Sequence, residues 1–428
     1  MSKLKRLSLM SVAACALIAP VAFGQSDNYY SRNKYEAVLE RAQPAFDPEP
    51  IRLGAFAVRP VAEATLTATD NVFVNATNEQ SDVIARVGAS VSGNTIWSVH
   101  SAGFDVRAYR NEYLDLSDES TTDLYARLNG RLDVTRSFSV GGSVFAEDSA
   151  EPRFEVVNDF GIDAPIKYTR TGVTLDANYQ NDRVRWNNNF GLTDENYDDG
   201  RTIGAGTNID QDYRDRSVLS GRTRLSYALS PDFAVFGQAT YADNSYDNRQ
   251  LIGGQLRSRD SKTYTVSGGV DFELTALLRG DIAVGYLKDK TDDAVFANSS
   301  GLSIDGRMQW FPTRLTTATF TLGRRVTDTG ALDTPTALET TFGARVDHEL
   351  RRNVILSGYG RMFNYDYGST DREDETLELG AIATYKMNKR VHWEAFVRNR
   401  DRDVTGFGVF GDPTYSVTQA GIGVRIYP

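Results

Sequence analysis

The sequence predicts an all-β fold: a transmembrane antiparallel β-barrel of about 18 strands, with short periplasmic turns and long extracellular loops. Three observations support this prediction. A hairpin pattern recurs along the chain, its strands alternate between apolar and polar residues, and its connections alternate between short and long. No apolar run reaches the 18 or so residues of a membrane-spanning helix. In a bilayer, a closed barrel is the other structure that satisfies every backbone hydrogen bond.

The first 24 residues, "MSKLKRLSLMSVAACALIAPVAFG", predict a secretory signal peptide. A basic start precedes an apolar run, and the segment ends in the small-x-small pattern of a cleavage site. The one cysteine, Cys15, lies here in "VAAC", which also resembles a lipoprotein processing site, although the residues after it stay apolar. We expect residues 25–60 to form a periplasmic N-terminal segment and residues 61–428 to form the outer-membrane β-barrel.

Charge excludes a nucleic-acid partner. The formal net charge is −10, and removal of the three basic residues of the signal peptide makes it −13. No basic stripe of the kind that binds phosphate backbones remains. After cleavage at Gly24 the chain also lacks cysteine, so neither disulfides nor thiolate metal sites are available.

The hairpin pattern consists of two alternating runs joined by a short turn, as in "YALSPDFAVFGQATYAD" and "ELRRNVILSGYGRMFNYD". Eight such turns join sixteen strands. One strand before the first copy, starting at Val61, and one after the last copy give eighteen. The connections between copies are long and polar, which is typical of outer-membrane barrels. A soluble sandwich or propeller does not sort its connections so regularly by length.

Strand parity assigns each residue to the lipid face or the lumen, because successive side chains point to opposite faces. The polar faces carry mixed charges that either pair across strands or line a hydrated pore. The candidate pore-lining residues are Asp123, Tyr125, Arg127, Arg131, Asp133, Arg185, Arg222, Arg224, Asp271, Glu273, Asp305, Arg307, Arg345 and Asp347.

Aromatic residues crowd the apolar face close to the short turns, where an interfacial girdle is expected. They are Phe138, Trp186, Tyr227, Phe233, Phe272, Trp310, Tyr385 and Trp393. Parity places four other aromatics, Tyr125, Phe145, Phe236 and Phe396, in the lumen. These four either stack on sugar rings or simply fill space.

The segment "FDPEPIRLGAFAVRP" and the later "TATDNVFVN" resemble the opening of a family of β-barrel porins found with exopolysaccharide and capsule gene clusters. The residues of this opening motif are Asp47, Pro48, Ile51, Arg52, Leu53, Gly54, Asp70, Asn71 and Phe73. The resemblance implies an outer-membrane conduit, in a Gram-negative bacterium, for a secreted exopolysaccharide or capsular polysaccharide. It also implies a periplasmic polysaccharide-export protein as partner, beside the barrel-assembly machinery, outer-membrane lipids and lipopolysaccharide.

The sequence predicts no catalytic activity, no cofactor and no metal site. The sequence has three histidines, His100, His348 and His392, and no nucleophile motif beside them. Parity puts His348 on the lipid face near a turn, His392 in the lumen, and His100 on the face of Ala102. A general diffusion or nutrient-uptake porin remains the main alternative, and a plugged structural barrel is a third.

The segment "NKYEAVLERA" predicts a short helix before the barrel. In it, Tyr35, Val38, Leu39 and Ala42 would form one apolar stripe. The C-terminal "QAGIGVRIYP" predicts the last strand of the barrel.

Overall fold

The computed structural model describes residues 36–154, 162–203, 206–275, 277–329, 334–368, 371–406 and 414–428. The predicted signal peptide and Tyr35 lie outside these residues. Eighteen long strands and one short strand, Ile51–Leu53, form a single sheet. The long strands are β1 Phe56–Thr69, β2 Asp82–Thr95, β3 Ser101–Tyr113, β4 Thr121–Asp133, β5 Phe138–Ala150, β6 Lys167–Asn181, β7 Val184–Tyr197, β8 Arg216–Ser230, β9 Phe233–Tyr246, β10 Ser261–Leu274, β11 Leu278–Thr291, β12 Ser300–Thr313, β13 Thr316–Asp328, β14 Thr336–Arg351, β15 Val354–Asp366, β16 Glu373–Lys386, β17 Val391–Thr405 and β18 Tyr415–Ile426.

Each long strand pairs antiparallel with the next, and β18 returns to β1. This closing ladder runs from Ala62 opposite Ile426 to Thr69 opposite Gln419. The predicted eighteen-stranded closed barrel is therefore confirmed, as are all eight short turns, such as the two residues between β8 and β9. The long connections gather at the other rim, where the loop between β7 and β8 adds a two-stranded hairpin of its own.

Strand β1 begins at Phe56, before the Val61 start that the alternation predicts. Its first residues do not reach β18; they pair instead with Ile51–Leu53 through a tight turn. Gly54 in that turn has φ +59°, a conformation that glycine adopts without strain. Pro60 has β2 on one side and no ladder partner on the other, so its missing N–H leaves no hydrogen bond unmade.

The outer face is apolar, with exposed side chains such as Leu66, Leu128, Val266 and Phe342 along the strands. Aromatic residues lie at the short-turn rim: Trp186 is opposite Tyr179, and Trp393 is opposite Tyr385. Trp186, Tyr385 and Trp393 of the predicted girdle are exposed on the lipid face, whereas Phe272 is buried. Among the described residues, no helix is long and apolar enough to span a bilayer.

Two local expectations are wrong. Residues 36–42 contain one hydrogen-bonded turn, from the N–H of Arg41 to the carbonyl of Ala37, instead of a helix. Ala37 and Val38 are buried there while Ala42 is exposed. Packing of this segment against the barrel, rather than the helical spacing of its apolar residues, therefore decides its conformation. His100 does not belong to a strand face; it lies in the turn before β3 with φ +64°, and its Nδ1 accepts a hydrogen bond from the N–H of Asp133 at 3.0 Å.

Candidate functional site: the lumen and its two internal segments

The candidate site is the lumen, where two segments contact inward-facing side chains at opposite ends. We call residues 36–50 the N-terminal strap and residues 151–154 the inner loop. The strap lies at the rim of the short turns, which is the periplasmic rim of outer-membrane barrels. The inner loop follows β5 at the opposite, extracellular rim.

The first part of the strap is anchored on β11, β13 and β14. The N–H of Val38 donates to Thr317 Oγ1 at 3.0 Å, and both residues are buried. Arg41 donates to Glu349 Oε2 at 2.8 Å, and Glu40 pairs with Arg279 at 3.0 Å. The strap therefore sits on lumenal side chains of the wall rather than outside the barrel.

The second part of the strap is anchored on β16, β17 and the turn between them. Asp47 pairs with Lys386 at 2.9 Å, and the Nε2 of His392 donates to the carbonyl of Phe46 at 2.9 Å. Lys389 hydrogen bonds Glu49 and thereby lowers the pKa of that carboxyl group below its usual value. His392 thus has a structural role at the periplasmic mouth.

The inner loop reaches strands that lie far away in the sequence. The hydroxyl of Tyr415 donates to the carbonyl of Phe154 at 3.3 Å, and Phe154 packs against Val74, Tyr415 and Val417. The Arg400 guanidinium lies 4.8 Å from the centre of the Phe154 ring. Strands β16 to β18 are thereby covered by a residue from between β5 and β6.

Two buried ion pairs hold the base of the inner loop. Arg153 forms a bidentate pair with Glu119, with N–O distances of 2.9 and 2.6 Å. Glu151 pairs with Arg214, whose guanidinium also stacks on Tyr197 at 3.9 Å. Burial alone would lower the pKa of Arg214, but the Glu151 carboxylate outweighs burial and raises that pKa. Both pairs join loops that are distant in sequence.

The fourteen candidate pore-lining residues all lie on the lumenal face by strand register, but they differ in environment. Arg224 is buried between Asp271 at 2.7 Å and Asp281 at 3.4 Å, so it belongs to a wall-stiffening cluster. Arg345 and Asp347 pair at 2.9 Å. Arg127 is exposed. Their contact with a passing solute stays a prediction.

The lumenal aromatics lie over glycines of neighbouring strands. A Cβ added to Gly172 would lie 2.5 Å from the Phe145 ring, and one added to Gly421 would lie 2.6 Å from the Phe396 ring. Phe236 covers Gly269 in the same way, and its ring also carries the Arg224 guanidinium at 3.5 Å. These rings fill the glycine gaps of the wall, which favours the space-filling interpretation over sugar stacking.

The opening motif stabilises the seam between the first and last strands. Asn71 is buried and donates from its Nδ2 to the carbonyls of Asn75 and Ser416, at 2.8 and 3.0 Å. Asp70 Oδ1 accepts from the N–H of Thr418 at 2.7 Å. The Phe73 ring lies 5.6 Å from the Arg153 guanidinium. Motif residues thus tie the seam to the base of the inner loop.

Sequence reasoning missed the inner loop and an arginine row on β17. Successive members of the row, Arg398, Arg400 and Arg402, are two residues apart, so they share the lumenal face with about 6.6 Å between neighbouring Cα atoms. The sequence signal for this row is the alternation of arginines in "VRNRDRD". The structure also brings together carboxylate oxygens of Asp199, Asp210 and Asp212 within 4.8 Å, but all three are exposed loop residues and we assign them no metal.

A closed barrel with an apolar outer band, an aromatic girdle and a charged lumen defines an outer-membrane porin. Residues 43–427 match the family described as "Putative beta-barrel porin 2", so the chain belongs to that family. The protein therefore resides in the outer membrane of a Gram-negative bacterium. Of the histidines, His348 contacts Thr316 Oγ1 at 3.0 Å on the lipid face, as its parity predicts.

Solved outer-membrane proteins have similar barrels at low sequence identity. The siderophore receptor PirA from Acinetobacter baumannii is 8% identical, with 87% of this chain and 80% of that chain covered and a TM-score of 0.49. OccK2 (OpdF) from Pseudomonas aeruginosa, in complex with glucuronate, is 8% identical, with 88% and 99% covered and a TM-score of 0.47. The copper transporter OprC is 11% identical, with 89% and 81% covered and a TM-score of 0.47. No curated protein sequence matches the chain.

Proposed function

We propose that this porin is the conduit through which an exopolysaccharide or capsular polysaccharide leaves the cell. One observation carries the proposal: the wall of β5 to β9 is lined by amide and hydroxyl groups. Asn187 bonds Asn178 at 2.6 Å, and Ser143 bonds Thr174 at 2.8 Å. Arg222 bonds the Gln238 carbonyl at 2.7 Å. Such groups exchange hydrogen bonds with sugar hydroxyls as readily as with water.

The strap supports a periplasmic docking role. Its Gln43 side chain is buried, and neither amide atom finds a hydrogen-bond partner within the described part of the chain. An unsatisfied buried amide costs about 1–3 kcal/mol. Because of this cost, less free energy is needed to move the strap away from the wall when a partner binds. The partner we propose is the periplasmic polysaccharide-export protein.

Deleting the gene is expected to abolish surface polysaccharide while synthesis of the polymer precursor continues, because the block lies at the last membrane. Surface polysaccharide is extracted and quantified, and the polymer precursor is quantified in the cell fraction. A strain in which the wild-type gene has been restored is the control. Normal surface polysaccharide together with lost uptake of a small solute would contradict export. It would instead support the diffusion porin, which the wall-bound lumenal aromatics also favour.

Val38→Asp is expected to reduce export while the barrel still assembles, because Val38 is buried on Thr317 but is not part of the ladder. Ala42→Asp adds the same charge to an exposed position of the strap and is the matched control. Surface polysaccharide and heat-modifiable mobility in SDS gels are measured for both. Equal export in the two variants would show that seating of the strap is irrelevant to export.

A further inference from the structure

Arg400 is a largely covered lumenal arginine that is only weakly paired. Its side chain is 12% exposed, and its closest carboxylate, Glu378, is 3.8 Å away, beyond hydrogen-bond reach. Within the described residues, its Nε is buried without a hydrogen-bond partner. A buried cation without a close counter-ion is costly, so this position needs an explanation other than wall stability.

The carboxylate of Glu378 is shared by two cations. Arg361 on β15 also lies 3.8 Å from it, so two guanidiniums face one carboxylate and neither hydrogen bonds it. The next lumenal carboxylate along β16, Asp374, is already paired with Arg372 at 2.7 Å and Arg402 at 2.6 Å. Among the described side chains, the wall around Glu378 therefore has an excess of positive charge.

The faces of the Arg400 guanidinium are occupied, but its in-plane donors are not. Phe154 of the inner loop lies 4.8 Å from it and Phe363 of β15 lies 5.7 Å from it. Cation–π contacts of this kind occupy the faces and leave the N–H groups free for a planar anion. A small cavity of about 10 Å³ adjoins the guanidinium and is also lined by Phe154, Glu378 and Gln419, so an anion can enter it only when Phe154 moves.

We propose that Arg400 and Arg361 form a binding site for the carboxylate of an acidic sugar residue, and that Phe154 covers the site until the polymer displaces it. The proposal rests on the proposed function and deepens it, because it makes the exported polymer an acidic polysaccharide. A carboxylate accepts two parallel N–H bonds from a guanidinium, which supplies the hydrogen bonds that Glu378 is too distant to make. The inner loop then acts as a latch at the extracellular exit.

The test is calorimetric titration of the purified full-length protein in detergent with trigalacturonate and, separately, with the neutral trisaccharide maltotriose. We expect trigalacturonate to bind at least about tenfold more tightly than maltotriose, and Arg400→Gln to weaken trigalacturonate binding about tenfold, the loss typical of one charge-assisted hydrogen bond. Phe154→Ala is expected to tighten binding, because the cover is removed. Heat-modifiable mobility verifies that each variant is folded.

The matched control is Arg107→Gln, which removes one exposed lumenal charge from β3 and should leave the affinity unchanged. Equal affinity for the two trisaccharides would overturn the proposal. So would an unchanged affinity in Arg400→Gln, equal losses in both arginine variants, or no trigalacturonate binding even in Phe154→Ala. The titration and the gene deletion test different claims. If the deletion abolishes surface polysaccharide but the protein does not prefer trigalacturonate, only the acidic site is overturned. If the protein prefers trigalacturonate but the deletion leaves surface polysaccharide normal, only export is overturned.

Discussion

Val266→Arg is expected to prevent assembly of the barrel, whereas Thr265→Arg, one residue earlier, is expected to be tolerated. Val266 is 66% exposed on the lipid face near the middle of β10, and Thr265 faces the lumen. An arginine facing lipid at the bilayer midplane costs about 2–4 kcal/mol, and in the lumen it meets water and polar groups. Valine and threonine have nearly the same size and shape, so lost packing is similar in both.

The measurement is the heat-modifiable fraction of each variant in purified outer membranes. A folded barrel migrates faster before boiling, so the fast band reports assembly directly. Val266→Ala controls for loss of the valine itself. If both arginine variants assembled to the same extent, the assignment of the two faces would be wrong.

Arg214→Leu is expected to release the inner loop and raise the conductance of the pore. Glu151 would remain buried, with its side chain 2% exposed, after losing its cation. Breaking a buried pair in this way costs about 3–5 kcal/mol. The pair joins two extracellular loops and no ladder hydrogen bond depends on it, so we expect the loop to move while the barrel stays folded.

Single-channel recordings in planar bilayers test this prediction, with protease accessibility of the inner loop as a second readout. Arg257→Leu is the matched control, because Arg257 also pairs across extracellular loops, with Asp293 at 3.1 Å, but is partly exposed. Identical conductance in Arg214→Leu and the wild type would refute the latch function of the inner loop.

The strap and the inner loop contact the lumenal wall at opposite ends of the barrel. The strap lies at the periplasmic rim, where a polymer would enter under the proposed function, and the inner loop lies at the extracellular rim. A diffusion porin needs neither the buried seat of Val38 nor the covered arginine at position 400. The proposed export function would therefore explain two features of the structure that passive diffusion does not require.

The sequence alone determined the barrel, its strand number, its eight short turns and the facing of residues such as Thr265 and Val266. These features depend on local signals, because side chains alternate along a strand and a two-residue turn fixes its own hairpin. The same signals placed His348 on the lipid face and His392 in the lumen. The strap helix failed as a prediction because isolated short helices are marginal and tertiary packing overrides their periodicity.

Only the tertiary structure decided what the lumen contains. Phe154 meets Tyr415, and Asp70 meets Thr418, once closure brings the ends of the chain together. Glu151 finds Arg214 across two loops whose sequences show no trace of the pairing. The physical reason is that contacts across a lumen depend on which strands closure places opposite one another. Local periodicity reports only which way each side chain points.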